Sequence, residues 1–284
     1  MNNSTHYGGV FYCQDSKIWI KSSSFAGNIA QRGGVLYCKQ KATEATEINS
    51  TLHEYLKSWI HSNDSDMDLL LRSNVACIGS NFSRNTATSN GGVMFSESSC
   101  NLYLDQNNFE FNVGSHGGVL LMRTFSVVII YRSTFLNNAA LKIGGVGYVS
   151  NSTTTVIQSL FCHNRAGQHA GALFFTDRAK ISIHSGIFHN STANIIGGSL
   201  YLHGNSAILL TGLILFELNS AQYSAVINMY ESDIVCKGSL MIINNNGSIA
   251  TAHSSGHFAG NLTFIDNIGS LYISLIVMSP LVDQ

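Results

Sequence analysis

Hydrolysis of a glycosidic bond needs two carboxyl groups held about 5 to 9.5 Å apart, so the acidic residues are the first place to look for chemistry in this chain. It carries 16 Asp and Glu in 284 residues, and most of them are isolated. Asp15, Glu97, Asp177 and Glu231 form one loose series, each 12 or 13 residues after a recurring Asn, with Ser150 and His203 at the corresponding places elsewhere. That series reads either as a solvated turn or as a cation or substrate site. Asn63-Asp64-Ser65-Asp66-Met67-Asp68 offers oxygen donors at alternate positions, as a calcium loop does, yet lacks the glycine and distal glutamate that complete one. His163 and His189 each precede a recurring Asn, which places them about 5 Å apart if the units stack. Two ligands do not make a zinc site, and spacing brings no third His or Cys to them. No nucleophile elbow, phosphate loop or Cys-x-x-Cys pair is present. No catalytic, cofactor-binding or metal residue is therefore assigned.

What must position any such group is a repeat. Phe followed three residues later by Asn occurs at Phe25/Asn28, Phe82/Asn85, Phe109/Asn112, Phe135/Asn138, Phe161/Asn164, Phe216/Asn219 and Phe264/Asn267, with a degenerate copy at Ile187/Asn190. A small-residue pair and an apolar run follow each Asn, as in Gly33-Gly34-Val35-Leu36-Tyr37 and Gly117-Gly118-Val119-Leu120. A second alternating run ends five residues before the next Phe, at Ile20, Leu104, Ile130, Val156 and Ile183. Successive Asn lie 25 to 29 residues apart over most of the chain, with one gap of 57. Period-2 runs broken by turns, with no helical period in the unit, predict strands. A unit of about 26 residues suits three short strands wound once around a parallel β-helix. The expectation is all-β: one solenoid domain over residues 1–284, of about ten coils. The Phe become an interior ladder and the Asn a stacked amide column in one turn.

The 57-residue gap is one coil plus an insertion at about 40–70. Within it Leu52, Tyr55, Leu56, Trp59 and Ile60 recur at helical spacing behind a capping box beginning at Thr51. A short amphipathic helix against the rod and a partner-binding loop are both consistent with that pattern. In the Gly-Gly-Val strand both faces are apolar. Strict alternation sets Val35 with Tyr37 and Leu36 with Cys38, and only one set can face inward. The other becomes an outer apolar stripe of the kind that marks contact surfaces. Cys13 and Cys38 fall in one column, as buried thiols or as a strained bridge.

The in-phase Phe-x-x-Asn and Gly-Gly-(Ala/Val)-(Leu/Ile) motifs resemble the repeats of the chlamydial polymorphic outer membrane proteins, over nearly the whole chain outside the insertion. The resemblance implies a right-handed β-helix of the pectin-lyase-like superfamily, secreted or displayed at a surface as an adhesin or stalk. This chain departs from the bacterial pattern in preferring Gly-Gly-Val and in showing no C-terminal membrane barrel. The same fold carries pectate lyases and polygalacturonases, so a polysaccharide lyase or glycoside hydrolase is the alternative.

Composition narrows the rest. With 45% hydrophobic residues and 11% charged, the chain is too apolar for a disordered one. Its formal net charge of -1 excludes the basic footprint of a nucleic-acid binder. No apolar run reaches the roughly 18 residues of a membrane-spanning helix. The N-terminus shows no secretory signal, and the repeat already under way at Asn3 suggests a piece of a longer protein. The reading is a non-catalytic extracellular or cell-surface module for adhesion or display. It has no cofactor, its partner is a protein or carbohydrate surface ligand, and Asn49, Asn63 and Asn151 are candidate glycosylation sites.

Overall fold

The computed structural model describes residues 2–40 and 73–268, together with the backbone of residues 272–273. All its regular structure is β, in parallel strands that coil into a solenoid of about nine turns. One coil runs Asn101–Asp105, Asn108–Glu110, Val113–His116, Leu120–Met122, and the next coil repeats it in register. Four sheets result. Sheet I holds the Gly-Gly-Val strands, sheet II the alternating runs and sheet III the Phe strands. Sheet IV was not expected. It is built from six short strands such as Thr86–Asn90, in the segment between Asn and Gly-Gly that the sequence pattern assigns to a turn. Those residues are a mixture, from Thr86–Asn90 (TATSN) to Ala139–Ile143 (AALKI), with no sustained alternation. They pair because the coils above and below already hold them at strand separation, with register shifts where spacing differs.

The interior is a single apolar column. Phe82, Phe109, Phe135, Phe161, Phe188 and Phe216 are all fully buried. They stack face to face at centroid distances of 4.7–4.9 Å, within 3–14° of parallel. Phe25 continues the stack at 5.2 Å from Phe82 and is partly exposed at the end coil, while Phe264 is 42% exposed at the other end. One rung differs from the sequence expectation. The degenerate copy at Ile187/Asn190 is displaced by one residue, because Phe188, not Ile187, pairs with Phe161 and Phe216. Asn190 is therefore not a ladder residue. It has φ 46° and occupies the place of Asn137 and His163, the left-handed residues just before the column. Ser191 takes the column position, and its Oγ is buried without a hydrogen-bond partner among the described residues.

The last two Asn of the sequence pattern need correction as well. Asn219 and Asn267 both stand in the column, but they are not successive rungs, because Ile242/Asn245 forms a rung between Phe216/Asn219 and Phe264/Asn267. Asn219 is fully buried; its Oδ1 accepts the Ser191 N–H, and its Nδ2 donates to Phe188 O and Asn245 Oδ1 at 2.9 Å each. Asn267 is only half-buried, unlike the interior rungs, because the stack of described coils ends with it. Its Oδ1 accepts from Asn245 N and Nδ2 at 3.0 Å each, and its Nδ2 donates to Ile242 O at 2.6 Å.

Each column Asn in the middle of the rod is buried, and each except Asn164, whose next rung is Ser191, does three things. Its Nδ2 donates to the next rung's Oδ1 at 2.9–3.1 Å, and also to a backbone carbonyl of the preceding coil, as Asn138 does to Phe109 O. Its Oδ1 accepts the backbone N–H of the Asn one coil before, as Asn138 does from Asn112. A left-handed turn has backbone groups that cannot meet each other, and the amides supply the missing partners. The next two turns use mostly serine. Ser126 and Ser152 accept the N–H of Cys100 and Ser126 between sheets I and II. Asn107, Ser133 and Ser159 accept those of Ser80, Asn107 and Ser133 between sheets II and III. At the fourth turn glycine is needed twice: Gly117 has φ 66°, and a Cβ on Gly118 would collide with the carbonyl of Gly145 in the next coil.

The coils on either side of residues 41–72 stack directly, Ile18 pairing with Val75 and Asn28 bonding to Asn85. The segment thus enters at the turn between Leu36–Lys39 and Val75–Ile78. The expected helix at Thr51–Ile60, the acidic run at 63–68 and the sequons Asn49 and Asn63 lie outside the described residues. No helix among the described residues is long and apolar enough to cross a membrane.

Candidate functional site

The acidic series is a set of turn residues. Asp15, Asp177 and Glu231 all have φ near +50°, and Asn151, Gly204 and His253 hold the equivalent backbone position in other coils. Asp, Asn and Gly are the residues that tolerate this conformation best. The intervening coil at Gly204 keeps Asp177 and Glu231 about 10 Å apart, and Asp177 is engaged by Ser150 Oγ at 2.6 Å. Glu97 differs. It takes the Tyr37 hydroxyl and lies 3.5 Å from Lys39 Nζ, contacts that hold its carboxyl below the ordinary 4.5. Among the described residues these carboxylates form no facing pair. Asn151, the sequon in this series, is half-buried at the same left-handed turn position.

Sheet I settles which columns face outward, and strict alternation fails there. Val35 and Leu36 both face the interior, together with Cys38. The reason is the corner: the N–H groups of Val35 and Leu36 both donate to Val93 O, so the strand begins at Leu36 and Val35 packs inward before the pleat starts. The outward column is Tyr12, Tyr37, Phe95, Leu121, Tyr148, Phe174 and Tyr201. Tyr12 stacks on Tyr37 at 5.2 Å, and Tyr148 on Phe174 at the same distance, making a second aromatic ladder outside the coil. It is not the long open stripe expected. Tyr12 is 53% exposed, whereas Tyr37, Phe95, Leu121 and Phe174 are buried. Side chains from the edge of sheet IV lean over it: Arg32 faces the Phe95 ring, His116 meets Tyr148 edge-on and His169 meets Tyr201.

Those histidines give the fold a pH dependence. Burial holds the imidazoles of His116 and His169 below their ordinary 6.5, with Lys142 and Arg123 adding to the effect at His116. A folded value below the unfolded one means that the unfolded chain takes up more protons as pH falls through about 6.5. Stability is therefore complete above that pH and declines below it. Glu97 adds a separate loss lower down, as pH falls through its depressed value from about 4.5. The expected outcome is a melting temperature that drops between pH 7.5 and pH 5.5, with a smaller drop in a His116→Gln/His169→Gln variant. An identical slope in wild type and variant would contradict the assignment.

Six cysteines remain as thiols, five of them buried. Cys13 and Cys38 are register partners as expected, and Cys38 also has the Cys100 sulfur beside it, at 2.6 Å. Hydrogen bonds with neighbouring thiols, and then burial, push Cys13 and Cys38 well above the ordinary thiol range, which disfavours the thiolate a nucleophile needs.

The one cluster of metal-ligand type among the described residues is Cys162, His163 and His189, whose donor atoms lie within 4.8 Å of one another. Cys162 and His189 are register partners on sheet III, both half-buried, and His163 is the exposed left-handed residue beside them. The His rings meet edge to face at 5.7 Å, as stacking of their coils requires. His189 Nδ1 lies 3.2 Å from Glu217 Oε2, and His163 Nδ1 lies 2.9 Å from the Asn190 amide.

No family model, curated protein or solved structure matches this chain. Sequence reasoning paired His163 with His189 and missed Cys162. The signal was adjacency: Cys162 precedes His163 in one coil and faces His189 across the 27-residue repeat.

Proposed function

We propose that this chain is a non-catalytic rod module of an extracellular or cell-surface protein, serving adhesion or structural display. The observation that supports it best is how the turns are occupied. Residues that would have to converge for catalysis are distributed one to a coil at left-handed positions, where the backbone selects them. Retaining glycosidases need carboxyls at about 5 to 5.5 Å, and a lyase needs an acidic calcium cluster beside a base. Asp177 and Glu231, separated by the Gly204 coil, meet neither requirement. Polar ladders at three of the four turns instead give a stiff solenoid on which surface columns repeat at strand spacing. The motif resemblance to the polymorphic outer membrane protein repeats points the same way. The ligand is a protein or carbohydrate surface, met by exposed aromatic positions such as Tyr12 and Tyr223.

The test is direct. Purified protein incubated with pectin, polygalacturonate or other uronans, with and without calcium, should release neither unsaturated nor reducing ends. Release abolished by Asp177→Asn or Glu231→Gln would replace this reading with a pectate-lyase-like polysaccharide enzyme.

A further inference from the structure

We propose that Cys162, His163 and His189 form a zinc site that staples two adjacent coils. Three donors, one sulfur and two nitrogens, are the set that a borderline divalent ion such as Zn2+ prefers, and Mg2+ or Ca2+ does not. The three atoms lie within 4.8 Å. Zinc bonds of about 2.0 to 2.3 Å in a tetrahedron put ligand atoms roughly 3.5 Å apart. Closing that difference takes side-chain adjustment alone, because His163 is exposed and the other two are half-buried at the surface.

The orientation of the rings is the second observation, independent of the first. A zinc-bound histidine generally donates its other ring N–H to a carboxylate or carbonyl, which fixes the tautomer and aims the free nitrogen at the metal. His189 has that partner: Glu217 Oε2 accepts from its Nδ1 at 3.2 Å, which leaves Nε2 with its lone pair for the ion. His163 Nδ1 lies 2.9 Å from Asn190 Nδ2, and a half-turn of that surface amide on metal binding brings Oδ1 there to accept and frees Nε2 in the same way. Binding displaces the Cys162 proton to solvent, and burial, which holds that thiol up, opposes it until the metal arrives. Water completes the tetrahedron.

The place in the fold gives the site a purpose. Cys162 and His163 belong to the coil of Asn164, and His189 to the coil in which Ser191 interrupts the amide column. The staple joins the two coils at the rung where the Asn-to-Asn hydrogen bond is missing.

The probe is Zn2+ itself, titrated calorimetrically into reduced, chelator-treated full-length protein, with Co2+ as the spectroscopic reporter. One ion per chain is expected, with a cobalt–thiolate charge-transfer band. A melting rise of about 5 to 10 °C is expected at a hundredfold excess over the dissociation constant. Cys162→Ser should lose the band and the one-to-one binding. His163→Ala and His189→Ala should weaken binding by a hundredfold or more. Glu217→Gln should weaken it by roughly tenfold, as loss of an orienting partner does. Circular dichroism of each variant checks the fold, which these surface side chains do not support. Absence of stoichiometric binding to the wild type, or a charge-transfer band that survives in Cys162→Ser, overturns the proposal. A band of that kind would place the metal at the buried Cys13, Cys38 and Cys100 thiols instead.

Discussion

Phe135→Ala is expected to remove about 3 to 5 kcal/mol of unfolding free energy, a substantial share of the roughly 5 to 15 kcal/mol that folded proteins commonly have to spare. Phe135 is fully buried, and its ring is sandwiched between Phe109 at 4.8 Å and Phe161 at 4.9 Å, both within 4° of parallel. Truncation therefore strips contacts from two faces at once. The backbone cannot close the gap, because Thr134–Leu136 is pinned in register between strands on both sides. Phe264→Ala is the internal comparison. That ring occupies the same column but is 42% exposed in the last described Phe rung, and its loss should cost under about 1 kcal/mol. Urea unfolding followed by far-ultraviolet dichroism reads both. Equal losses for the two variants would mean that the column does not hold the rod together.

The ladder was legible because both of its residue types are chemically narrow. A stacked interior rung wants a flat ring of constant size, and the turn wants an amide that donates and accepts at once, so Phe-x-x-Asn survives as a visible string. Where a substitute serves, the string breaks. Ile242 fills the Phe column in one coil without interrupting the core, which hides the Asn245 rung from a search for Phe and makes Asn219 and Asn267 look like neighbours. The displaced copy at Phe188 was also recoverable, since Ile183 ends its alternating run five residues before Phe188 and four before Ile187. The serine columns left little trace, because a hydroxyl accepting one N–H is replaceable by Cys100 or Ala179 with modest loss. Sheet IV left none, its strands being imposed by the coils around them. The candidate site was half legible. The histidine pair follows from the repeat length alone, but the direction in which Cys162, His163 and His189 point depends on the left-handed turn, which periodicity does not encode.

Asn138 provides the sharpest test of the turn chemistry. It is fully buried and makes four hydrogen bonds: Oδ1 accepts from Asn112 N and Asn112 Nδ2 at 3.0 Å each, while Nδ2 donates to Phe109 O at 2.9 Å and Asn164 Oδ1 at 3.1 Å. Asn138→Ala abandons a buried backbone N–H, a buried carbonyl and a side-chain amide together. At about 1 to 3 kcal/mol for each unsatisfied group, a loss of about 3 to 5 kcal/mol is expected after local relaxation. Asn138→Asp separates volume from hydrogen bonding, since it keeps the shape and both accepted bonds but turns an oxygen toward Phe109 O and Asn164 Oδ1. The ionised carboxylate would then be buried against two acceptors, which raises its folded-state pKa above the ordinary value of about 3.9. A raised carboxyl pKa means that the folded state binds the extra proton. The variant's deficit should therefore deepen as pH rises through that value and shrink as pH falls toward 4, where a protonated Asp can donate one of the two lost bonds. Unfolding measured at pH 7 and pH 4.5 on wild type, Asn138→Ala and Asn138→Asp reads the prediction as a pH-dependent gap for Asp and a nearly constant one for Ala. If Asp matches wild type at pH 7, the donated bonds contribute little, and the Asn column would be a consequence of the left-handed turn rather than what holds it.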